Sequence, residues 1–382
     1  MPALPEDSDY MTIARLVQPP TVPARSTDDP EYNDKKRVDP FLFGQRFLEE
    51  GSDVFHHNAW DHVETDDDYK AYAELQYSKQ RENPASDFHK NLYNSNPAKF
   101  WDRFYKNHNQ NFFKNRKWLQ QEFPILADVT KKDAGRKVVL EVGAGAGNTA
   151  FPLVANNENE ELMVHACDYS KNAVKVMRES EHYNEKYVRA DVWDVTAEGD
   201  DSLPPGLEEN SVDIIILIFI MSALAPAQWN AALKNVHRLL KPGGDVLFRD
   251  YGRGDLAQVR FRKERYLDEN FYVRGDGTRV YFFDIEELRH IWTDWTPENG
   301  LNLSGINEDT QDRDEQAEVS SGRSQGAFEI LNLGKDQRLL VNRQKRLKMY
   351  RCWLQARIRK RVPLNKLDVI PERLAKEVEK NV

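Results

Sequence analysis

KVVLEVGAGAGNTAFPLV, residues 137–154, is the stretch on which the reading of this chain turns. Apolar and β-branched residues run up to Glu141, glycines follow at Gly143, Gly145 and Gly147, and a helix is predicted to begin near Asn148. Only glycine lets a backbone turn that sharply and approach a ligand that closely, because a Cβ would block both. Such a turn delivers its ligand to a helix N-terminus at the open end of a parallel sheet, where a nucleotide-like cofactor belongs. The spacing narrows the choice. A dinucleotide fingerprint G-x-G-x-x-G counted from Gly143 requires glycine at 148, and Asn148 stands there. The chain reads E-x-G-x-G-x-G instead. The carboxylate of Glu141 just before the loop suits a cofactor with a cationic amino-acid end and no pyrophosphate.

With 382 residues there is room for one large α/β domain with extensions, or for two small domains. The longest apolar run, 214–224, is too short to span a bilayer and follows Asp213, so a buried strand is expected and no membrane segment. The acidic N-terminus lacks both a signal-peptide apolar stretch and an arginine-rich transit character. Two cysteines, Cys167 and Cys352, argue against a disulfide framework and a zinc site and point to a reducing compartment, the cytosol before the nucleus. The net charge of −9 is unevenly spread. Residues 1–68 carry 16 acids against 6 Lys/Arg, and 298–319 carry 7 against 1, which leaves the remainder at about +7.

Composition divides the chain into segments. Residues 1–37 read as disordered, 38–85 as a substrate-facing extension and 86–136 as a helical region. The catalytic core spans 137–297, an acidic flexible insertion 298–336, the final hairpin and a basic segment 337–362, and a tail 363–382. Strands are expected at 137–142, 162–167, 186–190, 212–219 and 244–249 with helices between, the rhythm of a parallel sheet. RGDGT, 274–278, predicts a hairpin turn.

Asp168 ends the second strand, where a carboxylate can accept both ribose hydroxyls of an adenosine. Asp191 and Val192 at the third strand end could meet the adenine, with Ile218 at the fourth covering the ring. Trp101 and Tyr105 fall on one face of an amphipathic helix, where a plain core role is the favoured reading of the spacing alone. A second signal mixes positive charge with aromatics. Arg253, Arg260, Arg262, Lys263, Arg265, Arg274 and Arg279 surround Tyr251, Phe261, Tyr266, Phe271 and Tyr272, and residues 335–361 carry eleven Lys/Arg against one acid. Cations neutralise phosphates, while aromatics and guanidinium planes stack on unpaired bases. KNRKW, 114–118, forms a third, weaker cluster. His56, His57 and His62 read as surface histidines, and no metal site is expected.

The loop resembles the first motif of S-adenosylmethionine-dependent methyltransferases. Together with FWDRFYKNHNQNFFKNRKWL, ACDYS, IIILIFIMSAL, LKPGGDVLFRDYGRGDLAQVRF and NFYVRGDGTRVYFF, it resembles the methyltransferase-like enzymes that make 3-methylcytidine in tRNA. DPFLFGQRFL with HNAWDHV is similar to the branch acting on cytidine 32 in the anticodon loop of threonine tRNAs, and in some organisms of an arginine tRNA. The resemblance covers about 86–296 and resumes at 337–358; the acidic insertion and both ends depart from it.

It implies a class I methyltransferase fold: an α/β, Rossmann-like, seven-stranded and mostly parallel sheet with a C-terminal antiparallel hairpin and an N-terminal helical extension. It implies S-adenosyl-L-methionine held by Trp101, Tyr105, Glu141, Gly143, Gly145, Asp168, Asp191, Val192 and Ile218. It also implies RNA contacts by Arg249, Tyr251, Arg260, Phe261, Arg274 and Arg279. The tRNA anticodon loop is the expected partner, with an aminoacyl-tRNA synthetase or another adaptor protein as a further candidate. Asp250, at the fifth strand end, is the candidate catalytic carboxylate, because the methylated cytosine is cationic. A protein or small-molecule methyltransferase, a non-catalytic tRNA-binding partner and an NAD-dependent oxidoreductase are the alternatives.

Overall fold

The computed structural model describes residues 46–108, 112–301 and 326–362. The N-terminus expected to be disordered, 1–37, the tail 363–382 and residues 302–325 of the insertion expected at 298–336 lie outside the described residues; the end of that insertion is not flexible but forms the start of the strand Phe328–Asn342. In chain order the strands are β1 (Ala59–Asp61), β2 (Lys137–Val142), β3 (Leu162–Asp168), β4 (Val188–Val192), β5 (Val212–Ile218), β6 (Leu240–Tyr251), β7 (Tyr266–Asp268), β8 (Phe271–Val273), β9 (Arg279–Tyr281), β10 (Phe328–Asn342) and β11 (Leu347–Lys360).

Eight of them form one sheet in the order β4-β3-β2-β5-β6-β11-β10-β1. β2 to β6 run parallel, and their near-continuous apolar character follows from burial on both faces. The strand order turns back at β2, which pairs with β3 on one side and β5 on the other. A crevice therefore opens beyond the carboxyl ends of β2 and β5, the place where such sheets bind ligands. The RGDGT turn joins β8 to β9 as the sequence predicts, in a separate three-stranded sheet.

β11 lies antiparallel against β6, and the register sets Trp353 opposite Tyr251, Leu354 opposite Asp250 and Gln355 opposite Arg249. Asp245 at the far end of β6 accepts from Arg357 Nε at 3.0 Å and Arg359 Nε at 2.8 Å, which fixes that register. The hairpin strands are far longer than the two short alternating runs expected between 337 and 358, because the pairing extends to Phe328 on one strand and Lys360 on the other.

The sheet has eight strands and not seven, since β1 of the N-terminal extension pairs with β10, setting Trp60 opposite Leu339. Trp60 is buried with Leu48, Val54, Tyr69, Tyr72 and Tyr77 against Val259, Val341 and Tyr350. The helix Asp67–Glu82 is started by Asp66, whose side chain accepts from the Tyr69 amide. It is fixed at its other end by Gln80, whose amide donates to the carbonyls of Gln258 and Phe261. The helix Pro97–His108 packs Phe104 and Tyr105 against Ala146 and Ala173. Among the described residues no helix is long and apolar enough to cross a membrane.

Candidate active site

The crevice is a cavity of about 510 Å3. Its floor is the glycine loop. Gly143 and Gly145 hold φ angles of 63° and 60°. A Cβ on Gly143 would lie 2.1 Å from the Ile220 side chain, and one on Gly145 would lie 2.3 Å from the Tyr105 hydroxyl. Both positions thus need glycine twice over, for backbone conformation and for clearance.

Asp168, at the end of β3, lies beside that loop and is almost fully buried. Its Oδ2 accepts from the Gly145 amide and its Oδ1 from the Ser170 amide, at 2.9 and 2.8 Å. Each oxygen keeps a lone pair for a further donor. Burial pushes the carboxyl up to about 6, against the pull of these two amides.

Glu141 sits beneath the loop and does not line the cavity. Its Oε2 accepts from the Ala150 amide at the start of the next helix (3.0 Å), and its buried Oε1 has no hydrogen bond, with Arg116 Nη1 3.6 Å away. Burial pushes this carboxyl up to about 7, opposed by Arg116. The folded chain therefore holds the proton more tightly than the unfolded chain, and Glu141 costs stability progressively as pH rises from about 4.5 through 7. The melting temperature of the native chain should accordingly fall more between pH 5.5 and 8 than that of Glu141→Gln. Parallel pH profiles for the two proteins would refute this.

The roof is the helix Pro97–His108, tied down by Asp102, whose Oδ1 accepts from Ser170 Oγ at 2.7 Å and the Asn172 amide at 3.2 Å. Trp101 and Tyr105 line the cavity from it, as do Ile218 and Ile220 from the end of β5. The far wall is aromatic and basic. Tyr251 packs on Phe219 with ring centres 4.8 Å apart, and the Arg274 guanidinium lies 5.4 Å from the Tyr251 ring centre. Trp353 and Arg351 complete it, because the β6–β11 register brings them alongside Tyr251.

Not every candidate residue is brought to this cavity. Asp191 pairs with Arg178 at 2.8 Å, and Val192 is 43% exposed on the outside. β4 continues two residues past its expected end, so Trp193, Asp194 and Val195 are the residues that turn over the cavity. Asp250 is fully buried behind the wall and accepts from the Ser222 and Tyr251 amides, both at 2.9 Å; Ser222 is the cavity-lining residue in front of it.

Arg249 points into the protein. It pairs with the buried Asp336, donates to Gln355 Oε1 at 2.7 Å, and lies 5.3 and 5.2 Å from the rings of Trp118 and Trp353. Arg279 is buried as well, donating to Asn94, Gln228 and the Ala223 carbonyl. These arginines are interior cations, since each has its partners inside the fold. Arg260 and Phe261 lie along a separate depression with Lys79, Arg262 and Lys263, and Phe261 stacks on Tyr272 at 4.7 Å.

Conversely, Lys114, Arg116, Trp118, Trp193, Asp194, Asp276, Arg351 and Trp353 line the cavity without having been singled out individually. The KNRKW cluster was the one sequence signal for the first three.

The donor set fits S-adenosylmethionine. The buried Asp168 carboxylate suits a ribose, Trp101, Tyr105, Trp193 and Ile218 suit a purine, and Lys114 and Arg116 suit an α-carboxylate. The volume lies in the range of small-molecule sites.

The methyltransferase domain family matches residues 140–246. A tRNA(Thr) (cytosine(32)-N(3))-methyltransferase of Saccharomyces cerevisiae is 50% identical over 83% of this chain and 45% of its own length, so the present chain spans less than half of that relative. A tRNA N(3)-methylcytidine methyltransferase of Schizosaccharomyces pombe is 46% identical over 83% of this chain and 92% of its own, and one of Drosophila melanogaster is 39% identical over 85% and 90%. Among solved structures, an S-adenosylmethionine-dependent methyltransferase of Methanosarcina mazei aligns over 63% of this chain and 99% of its own at 16% identity and a TM-score of 0.42, too slight a likeness to carry an argument. With relatives this similar over more than four-fifths of its length, the chain belongs to the tRNA N(3)-methylcytidine methyltransferase family.

Proposed function

We propose that this chain methylates N3 of cytidine 32 in the anticodon loop of threonine tRNAs, and in some settings of an arginine tRNA, using S-adenosylmethionine. The observation that carries the reading is a single cavity uniting two halves. One half is the glycine loop with Asp168; the other is an aromatic and basic wall of Tyr251, Arg274, Arg351 and Trp353. A methyltransferase acting on a small molecule has no need of the second half.

S-adenosylmethionine, when bound, supplies a methyl group on a sulfonium that leaves as a neutral thioether. Cytosine N3 carries an in-plane lone pair at neutral pH, so the protein need not supply a strong base. Its task is alignment, which can contribute up to roughly 7–11 kcal/mol in ideal cases. A paired base has N3 occupied, so the target must come from a loop and be turned into the cavity, where Tyr251 and Trp353 offer stacking faces. The Asp194 and Asp276 carboxylates on the cavity wall are placed to favour the cationic product. Asp250 lies behind the cavity wall and meets it through the amides of Ser222 and Tyr251.

The reading places the enzyme in the cytosol with its tRNA substrate, with an aminoacyl-tRNA synthetase or another adaptor as a candidate partner. The test is methyl transfer from labelled S-adenosylmethionine to threonine tRNA, read by nucleoside mass spectrometry beside a transcript carrying uridine at position 32. 3-Methylcytidine in the first and none in the second is the expected result. No product on transcript, native tRNA or tRNA supplemented with cell extract, while the cofactor still binds, would overturn the substrate assignment.

A further inference from the structure

The sequence gathers cations between 253 and 279, and folding sends them to different places. Arg279 is interior, and Arg274 stands over Tyr251 in the cavity. Arg253 pairs with Glu74 at 3.2 Å, and Arg81 nearby pairs with Glu269 at 2.7 Å. Four others converge on the depression beside the helix Asp67–Glu82, a hollow of about 310 Å3. Lys79 comes from that helix, and Arg260, Arg262 and Lys263 come from the loop after Val259. All four are exposed, and among the described residues none of them forms an ion pair. No acidic residue lines the hollow. Neighbouring surface cations are neutralised, and these are not.

The loop that carries three of them is fixed before any ligand arrives. Gln80 Nε2 donates to the carbonyls of Gln258, Val259 and Phe261 at 3.0, 3.3 and 3.1 Å, and its Oε1 accepts from the Tyr272 hydroxyl at 2.9 Å. Beyond Lys263, the Glu264 amide donates to the Asn83 carbonyl at 2.8 Å. The loop is thus pinned to the helix on both sides of the cations, and a pinned loop loses less freedom on binding than a free one. The hollow also adjoins the cavity. Phe261 packs on Phe282 with ring centres 6.2 Å apart, and Phe282 on Tyr251 at 5.7 Å, so a single ring separates the two sites.

We infer that this hollow is a second RNA contact, a backbone-phosphate site distinct from the catalytic cavity, in which Lys79, Arg260, Arg262 and Lys263 hold the strand flanking the target base. The inference rests on the proposed tRNA methylation and adds where the backbone is gripped. Phosphates are alike at every position, so the site supplies affinity and register and reads no base. Its signature is salt dependence, because each neutralised phosphate releases condensed counterions. Lys79 also gives the N-terminal extension a direct share in substrate binding, facing a loop far from it in sequence.

The experiment combines charge removal in the protein with charge removal in the RNA. Threonine tRNA is assembled from synthetic pieces with one methylphosphonate, a neutral backbone unit, at successive positions on either side of cytidine 32. Affinity is measured across salt for the native chain, for Lys79→Gln/Arg262→Gln/Lys263→Gln, and for the charge-keeping Lys79→Arg/Arg262→Lys/Lys263→Arg. In the glutamine triple the plot of log affinity against log salt should be shallower by about 1–2, and affinity at physiological ionic strength should fall about tenfold. KM should rise by a similar factor while kcat stays within about twofold of native, the pattern of a contact made equally in ground and transition states. Cofactor affinity should not change, and the charge-keeping triple should restore the native slope. At one or more positions a methylphosphonate should weaken binding by the native chain and cost nothing further in the glutamine triple. A native salt slope in the glutamine triple would overturn the inference. So would methylphosphonate losses equal in both proteins at every position, the mark of long-range charge without a local contact. Native enzyme that forms no 3-methylcytidine on unmodified tRNA would instead overturn the substrate assignment beneath it.

Discussion

Replacing Asp168 by alanine should leave a folded chain with cofactor affinity reduced by about 10²–10⁴, the loss of two hydrogen bonds to a charged acceptor. Asp168 serves both the ligand and the loop that receives it, since its oxygens also hold the amides of Gly145 and Ser170. Asp168→Asn keeps the shape but has one accepting oxygen, so it should fall between the two. Titration gives an independent handle. The carboxyl is pushed up to about 6, so it is ionised and fully accepting above that pH and becomes protonated as pH falls through it. Cofactor affinity should therefore weaken below about pH 6 in the native enzyme and be flat there in Asp168→Asn. Calorimetry across pH 5–8 checks both, and an alanine variant within threefold of native affinity would exclude the assigned role.

Arg249→Ala should act on stability before it acts on RNA. The guanidinium is buried with Asp336, which is fully enclosed, so removing it leaves that carboxylate with Arg338 alone at 3.3 Å, a defect toward the lower end of about 3–5 kcal/mol. At this chain length the melting temperature should fall by roughly 4–6 °C. Burial lowers the Arg249 pKa, and the neighbouring Asp336 offsets that pull. Replacing the pair together, Arg249→Met with Asp336→Leu, should recover most of the loss, because two apolar groups need no partner. An RNA contact would behave differently. The melting temperature would stay put while tRNA affinity fell and its salt dependence became shallower. Thermal melts of the three proteins separate these outcomes.

The parts of this molecule that the sequence announces are those set by neighbours along the chain. The glycine loop, the parallel strands and the RGDGT turn each depend on a local pattern of apolar residues and conformational demands. The residues that complete the cavity depend on pairings across long separations. Trp353 reaches it because it stands opposite Tyr251, about a hundred residues away, and nothing within WLQAR specifies that register. Arg249 in FRDYG has the look of an RNA contact because its partner Asp336 lies 87 residues on. Asp191 and Val192 lie off the cavity lining because β4 runs two residues further, and a strand end is where pattern is weakest. β1, at three residues, is too short to show alternation.

That last strand has a consequence for how the protein is made. Ala59 pairs with Leu340, so β1 leaves the ribosome and must wait for a partner strand some 280 residues further along. At typical elongation rates of 5–20 residues per second the delay is about 15–55 s, far longer than strand association itself takes. Throughout it Trp60 and the tyrosines of the following helix have no hairpin to cover them. Exposed apolar surface of that kind is what holding chaperones bind, so shielding the nascent segment until β10 emerges should raise the yield of folded protein.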